Sequence, residues 1–268
     1  MLCCHNKGYE KALSYSFETQ TRLWKNWICG TFKIFKGTGY QTKEKGRKKA
    51  YIKNVRERIK NDLDGNIPIF SYLTRLRQIC LEPSLVFNEY KGGSGKIKIA
   101  LDLVEENIDS GGKTLLFSQF TSALKIIGET LKEREIKYYY LDGATSSKER
   151  IRLVNEFNKS SKVKVFLISL KAGGTGLNLT SANLVIHFDP WWNPAVENQA
   201  TDRAHRIGQK NVVEVVKLVS RGTIEEKIVL LQEEKKELAH NVLTRDFKEG
   251  IMLNRLSREE LIDLFCRE

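Results

Sequence analysis

The sequence predicts an α/β fold: a parallel sheet with helices on both faces, preceded by a helical appendage. Short apolar, β-branched runs recur along the chain, amphipathic stretches at helical spacing alternate with them, and turns rich in Gly, Ser and Thr join the two. Ligands of such sheets sit outside the carboxyl ends of the strands, so the segments leaving each strand are where function is sought.

Residues 1–47 show no period; Trp24, Trp27 and Phe32 are mixed with glycines and lysines, and this basic N-terminal segment stays unassigned. A helical appendage is expected over 48–90. Ile52, Val55, Ile59 and Leu63 recur at helical spacing until Asp64-Gly65-Asn66, and Ile69, Leu73, Leu76 and Cys80 mark a second helix ending before Pro83. The stretch NEYKGGSG reads as a flexible joint, and the main domain is expected over 91–240. There Ile97, Leu101, Val104 and Ile108 predict a helix, KTLLFS (113–118) a buried strand, and Leu124, Ile127 and Leu131 the next helix. KYYYL (137–141) is a strand, Ile151, Val154 and Phe157 mark a helix face, and VKVFLIS (163–169) is the third strand. NLVIHFD (183–189) and VEVVKLV (213–219) complete the sheet, with a helix between them. A charged helix (223–240) leads to a C-terminal helical extension (241–268) with a short helix near Leu261 to Phe265.

A hydrophobic fraction of 41% is adequate for a buried core, which argues against wholesale disorder. No apolar run approaches the roughly 18 residues of a membrane helix, and MLCCHNKGYEKAL lacks a signal peptide's apolar stretch. Five irregularly spaced cysteines suit a reducing compartment, and no CxxC or HxxxH spacing supports a metal site, so no metal ligand is assigned. The expectation is a soluble, cytoplasmic chain. Of its net charge of +12, residues 31–60 supply a surplus of nine, with eleven Lys/Arg against Glu44 and Glu57. Such a block suits nucleic acid or an acidic surface, and equally a solvated linker.

The strand ends share one kind of chemistry. LLFS runs into Ser118-Gln119, YYYL into DGATSSKER, VFLIS into LKAGGTGLNLTSA and VIHFD into PWWNP. Small hydroxyl residues, glycines and helix N-termini let backbone N–H groups approach phosphates, although strand-to-helix turns are rich in them anyway. SGGKTLLF (110–117) is not a phosphate loop: Asn107 stands where the first glycine should be, and the strand follows GKT instead of preceding it. In ENQATDRAHRIGQK (197–210), read as helix, Arg203 and Arg206 lie three apart and share a face. Asp202 and Arg206 would make a simple surface pair; an anion facing both guanidiniums is the functional alternative. His205 is expected to pack or hydrogen-bond, and His187 to be a satisfied core histidine.

LLFSQF, YLDGATSSKERIRLVNEFN, VFLISLKAGGTGLNLTSANLVIHFDPWWNP and ENQATDRAHRIGQ together resemble the second RecA-like lobe of the Swi/Snf-type ATPases, superfamily 2 DNA translocases. LTRLRQICLEPSLV (73–86) resembles the segment that precedes it. The resemblance implies a RecA-like helicase C-terminal lobe that closes over ATP and Mg2+ held mainly by a first lobe, in cis or in trans. It implies arginine fingers at Arg203 and Arg206, with Gly174, Gly176 and Gln199 in motifs that bind ATP. It places Ser118, Gln119, Thr145, Lys171 and Thr180 near the phosphates of double-stranded DNA and Trp192 against the DNA, while Trp191 is left to packing. A nucleoprotein substrate and, in a bacterium, a nucleoid-associated location accompany it. The phosphate loop and magnesium carboxylate of a first lobe have no counterpart in the sequence, so no ATP hydrolysis is expected without one. The competing expectations are a non-catalytic DNA-binding module, the remnant of a truncated gene, and an RNA helicase lobe.

Overall fold

The computed structural model describes residues 67–173, 176–206, 209 and 212–241, together with the strand Phe32–Gly37. The helix expected over residues 52–63, the helix near Leu261 to Phe265, and Gly174 lie outside the described residues. The strands are β1 (Phe32–Gly37), β2 (Thr114–Ser118), β3 (Tyr138–Leu141), β4 (Val165–Ser169), β5 (Leu184–His187) and β6 (Glu214–Ser220). The helices are α1 (Ile67–Leu81), α2 (Gly95–Asp109), α3 (Thr121–Glu133), α4 (Ser147–Lys159), the single turn α5 (Leu170–Gly173), α6 (Pro194–Thr201) and α7 (Ile224–Asn241).

All strand pairs are parallel, in the order β1-β6-β5-β2-β4-β3. The central strands are buried on both faces, and their side chains divide by the period of two. Leu115, Phe117, Phe166, Ile168, Val185 and Val215 face one layer, which includes Leu153, Val154 and Phe157 of α4. Leu116, Leu167, Ile186, Val216 and Leu218 face the other, built from α2 and α3 through Leu101, Val104, Leu124 and Ile127. Helices therefore cover both faces, as the sequence predicts. Two details differ. Ile151, taken as part of the α4 core face, is 64% exposed, and Leu153 takes the buried position beside Val154. The unassigned N-terminal stretch supplies β1, in register with β6 from Phe32 opposite Val215 to Gly37 opposite Ser220.

The second helix of the expected appendage, α1, packs closely on the lobe, with Leu81 joining its core. Leu73, Leu76, Ile79, Cys80 and Leu81 of α1 are all buried. Its C-terminal end is bound twice: Ser94 Oγ donates to Leu81 O at 2.5 Å, and Ser220 Oγ donates to Cys80 O at 3.3 Å. These two bonds join α1 to the start of α2 and to the end of β6 across the glycine joint. Ser94 is also the N-cap of α2, accepting from the N–H groups of Lys96 and Ile97, donors that a helix start leaves unpaired.

On β5, His187 stacks on Phe117 with centroids 5.7 Å apart, and its Nε2 lies 2.9 Å from Thr201 Oγ1. Burial, opposed by Glu197 and reinforced by Lys217, pushes its pKa from 6.5 down to about 4.

Ser94→Ala should lower stability by about 1 kcal/mol, since cap and inter-helix bond are lost together; denaturant unfolding with an unchanged midpoint would show that neither contributes. His187 makes stability depend on pH. Below pH about 6.5 the unfolded imidazole takes up a proton that the folded one refuses until about pH 4, so stability falls as pH falls through that window. The contribution is on the order of 3 kcal/mol, and His187→Asn should flatten the profile of unfolding free energy between those limits.

Candidate functional site

The two arginines lie at the exit of α6. Asn193 caps that helix by accepting from Ala195 N–H at 3.0 Å, and Pro194 occupies the first helical position. The helix expected across 197–210 ends at Thr201. Beyond it the backbone tightens: Arg203 N–H donates to Ala200 O at 3.2 Å and Ala204 N–H to Thr201 O at 3.0 Å, bonds of the three-residue kind. The carbonyl of Arg203 accepts instead from Leu179 N–H at 2.9 Å, and Gln209 Nε2 donates to Ala182 O at 2.8 Å and Ala204 O at 3.2 Å. Long-range partners thus claim backbone groups that a continuing helix would use, and Arg203 and Arg206 sit in a turn rather than on one helix face.

Within that turn Arg203 is 5% exposed, whereas Arg206 and His205 are exposed. His205, expected to pack or hydrogen-bond, is exposed. Burial, followed by the charge of Arg206, holds the Arg203 guanidinium below its ordinary pKa, with Asp202 opposing. The Leu179–Arg203 backbone bond ties the arginine turn to the segment that leaves the glycine turn. There Gly176 has φ +46° and is exposed, and a Cβ added to it would meet nothing within 4 Å. Gln199 is exposed on α6.

The residues expected along the DNA backbone divide. Lys171 is exposed after β4, and Thr180 and Thr145 are half-buried. Thr145 closes a turn with Asp142, accepting from Asp142 N–H at 3.2 Å, while Arg150 Nε donates to Thr145 O at 2.9 Å. Ser118 is 2% exposed and its hydroxyl donates to Asp189 Oδ1 at 2.5 Å. Gln119 donates its N–H to the same oxygen at 3.1 Å, and its Oε1 accepts from Arg77 Nη1 at 2.6 Å. Trp192, expected against the DNA, is 8% exposed. The Arg77 guanidinium carbon is 5.3 Å from the Trp191 ring and 5.9 Å from the Trp192 ring. Trp191, left to packing, is half-buried against the core.

Sequence reasoning missed the buried charges that hold this edge together. Arg77 Nη2 donates to Asp189 Oδ2 and to Pro190 O, each at 3.0 Å. Lys96 Nζ meets both Glu225 oxygens at 2.6 and 2.7 Å. Lys217 pairs with Glu197, whose Oε1 accepts from Trp191 N–H at 2.6 Å. Burial raises Glu197, but Lys217, His187 and the hydrogen bonds outweigh it and hold its pKa below the ordinary value. For Asp189 burial prevails over Arg77 and Ser118, and its pKa is raised. A signal for these groups was present: Arg77 stands between Leu73 and Cys80 on an apolar helix face, and Lys217 interrupts the strand VVKLV. A charge at a core position that periodicity assigns to the interior requires a partner.

With the geometry in place, the likeness to other proteins is direct. The profile of the helicase conserved C-terminal domain matches residues 95–208. The chain is 40% identical over 222 residues, 83% of its length, to an uncharacterized ATP-dependent helicase of Mycoplasma pneumoniae. Over 207 residues, 74% of its length, it is 41% identical to the putative ATP-dependent helicase/translocase YwqA of Bacillus subtilis. It spans about a fifth of these relatives, 21% and 22% of their lengths. Among solved structures, the C-terminal domain of the Sulfolobus solfataricus SWI2/SNF2 ATPase is 34% identical with a TM-score of 0.66, covering 88% of this chain and 96% of that one. The core of that ATPase in complex with dsDNA is 35% identical with a TM-score of 0.68, covering 88% and 49%. Matched along nearly the whole of a solved SWI2/SNF2 C-terminal domain, the chain belongs to the Swi2/Snf2 ATPase family and carries that family's helicase C-terminal domain.

Proposed function

We propose that the chain acts as the C-terminal motor lobe of an ATP-dependent DNA translocase, completing an ATP site whose phosphate loop and Mg2+ ligands belong to a first lobe. The observation that carries this reading is the arginine turn: a buried guanidinium and an exposed one, repelling each other, fixed to the glycine-turn segment by a backbone bond. A triphosphate bound against both relieves the repulsion, and charge that grows on the transferring phosphoryl group is met by donors already in position. In this assignment Arg206 reaches the γ-phosphate from the exposed side, and Arg203 supplies charge from the buried side. Gly176 and Gln199 are assigned to the approach; Gly174, which the resemblance groups with them, lies outside the described residues. ATP supplies the phosphoryl group and Mg2+ neutralises its oxygens. Among the described residues no three His, Cys, Asp or Glu converge to hold a metal, and what these residues offer is cationic.

The DNA contacts follow from exposure. Lys171, exposed beyond the carboxyl end of β4, offers a cation, and the half-buried Thr145 beyond β3 and Thr180 ahead of β5 offer hydroxyls, groups of the kind that position a phosphate backbone without reading sequence. Likeness to a SWI2/SNF2 core solved with dsDNA supports duplex DNA as the polymer, and the names of the relatives support ATP as the fuel. No helix of the described residues is long and apolar enough to cross a membrane. The basic block over 31–60 favours a second reading, a DNA-binding module without catalysis; it would bind duplex DNA yet confer no turnover on a first lobe.

Mixed with a matching first lobe and duplex DNA, the chain should hydrolyse ATP, and Arg206→Ala should cut kcat by about 10³-fold or more. Arg206→Lys should not restore it, because a lysine lacks the planar fork; full turnover in either variant would remove the finger assignment. DNA affinity should fall linearly with log salt, at about 0.9 log unit per phosphate neutralised. Lys171→Ala should lower that slope by about one phosphate's worth, and an unchanged slope would take Lys171 off the DNA path.

A further inference from the structure

Arg77 lies in LTRLRQICLEPSLV, to which no site role is assigned above, yet its guanidinium is bonded to groups beyond two neighbouring strands. It is 3% exposed. One nitrogen, Nη1, holds the Gln119 side chain beyond β2, and the other, Nη2, holds Asp189 and the Pro190 carbonyl beyond β5. Its plane is walled by Phe120 at 5.0 Å as well as by the two tryptophans. Asp189 carries the linkage back to Ser118, and Trp191 carries it forward through Glu197 to α6 and Lys217. The end of β2 faces the expected DNA side, whereas α6 leads into the arginine turn. The guanidinium is bonded to the first directly and is connected to the second through Pro190, Trp191 and Glu197.

We infer that Arg77 is a positioning residue that locks the β2 end to the Trp191–Asn193 turn, so that DNA engaged at one is felt by Arg203 and Arg206 at the other. The functional half of this inference rests on the motor reading; the positioning half does not. A lysine at 77 would keep the charge, but a single ammonium on a flexible stem does not provide the planar, two-pronged group that spans Gln119 and Asp189 while stacked between rings. The loss is therefore geometric, and it falls on the turn.

The test has two arms. In the chain alone, Arg77→Lys should move or broaden the indole N–H resonances of Trp191 and Trp192, assigned by Trp→Phe replacement, and the Nε–H resonance of Arg203, while circular dichroism shows the fold retained. Resonances that stay in place overturn the inference. With a first lobe added, the ratio of DNA-stimulated to unstimulated ATP turnover should fall about tenfold in Arg77→Lys, since a misplacement of about 1 Å can cost up to about 10² in rate. The active fraction cancels in this ratio, so simple destabilisation leaves it unchanged, and an unchanged ratio overturns the inference. Should Arg77→Lys fail to fold, Phe120→Leu, which removes one stacking ring and no hydrogen bond of the guanidinium, carries both arms. If the wild-type pair hydrolyses no ATP, the motor reading is what fails, and the spectra still decide whether Arg77 sets the turn.

Discussion

A guanidinium cannot be buried cheaply, and the carboxyl edge of this sheet is arranged around that fact. Arg77 is removed from water on a helix that precedes the first central strand, so its charge has to be answered by groups from elsewhere in the chain. Asp189 answers it, and a carboxylate buried beside β2 then needs donors of its own, which Ser118 and the Gln119 N–H provide. Each partner fixes the next. Two adjacent strands, the turn after the second and the helix before them all end in one hydrogen-bonded cluster.

The same demand is met twice more on this edge. Lys96 of α2 reaches Glu225 of α7, and that carboxylate also accepts the Ser220 N–H at the end of β6. Lys217 of β6 reaches Glu197 of α6, which also accepts from Trp191 N–H and Gln232. Apolar side chains of similar volume would often be no less stable than such pairs, whereas removing one partner typically costs about 3–5 kcal/mol. Their effect is to make relative position costly to change. A lobe whose loops must meet a second body in one geometry gains from that stiffness at the strand ends.

Elements that follow from periodicity were legible in the sequence. The five strands from β2 to β6 and helices α1 to α4 and α7 appear where apolar spacing puts them, because burial on two faces leaves an uninterrupted apolar run and burial on one leaves a stripe. What failed to show were outcomes set by distant partners. The helix through Arg203 reads well locally, but Leu179 and Gln209 draw its backbone into a turn. The glycine joint reads as a boundary, but Leu81 and Cys80 are tied across it by Ser94 and Ser220. Ser118 and Trp192 read as surface chemistry because nothing nearby in sequence announces Asp189 or Arg77. The resemblance to a family located the edge; only three-dimensional packing separated the residues facing outward on it from those that hold it in shape.

That separation bears on how the arginines would work. On a continuous helix, Arg203 and Arg206 would be neighbours on one solvent-facing stripe, free to splay apart and hydrate. In the turn, Arg203 is anchored by its own carbonyl to Leu179 and covered from water, and Arg206 is kept close enough to depress its basicity. Part of the electrostatic cost of holding two cations together is therefore met when the lobe folds. On the proposed motor reading, an anion arriving between them would meet charge already in place, the form of preorganisation that stabilises developing phosphoryl charge most effectively.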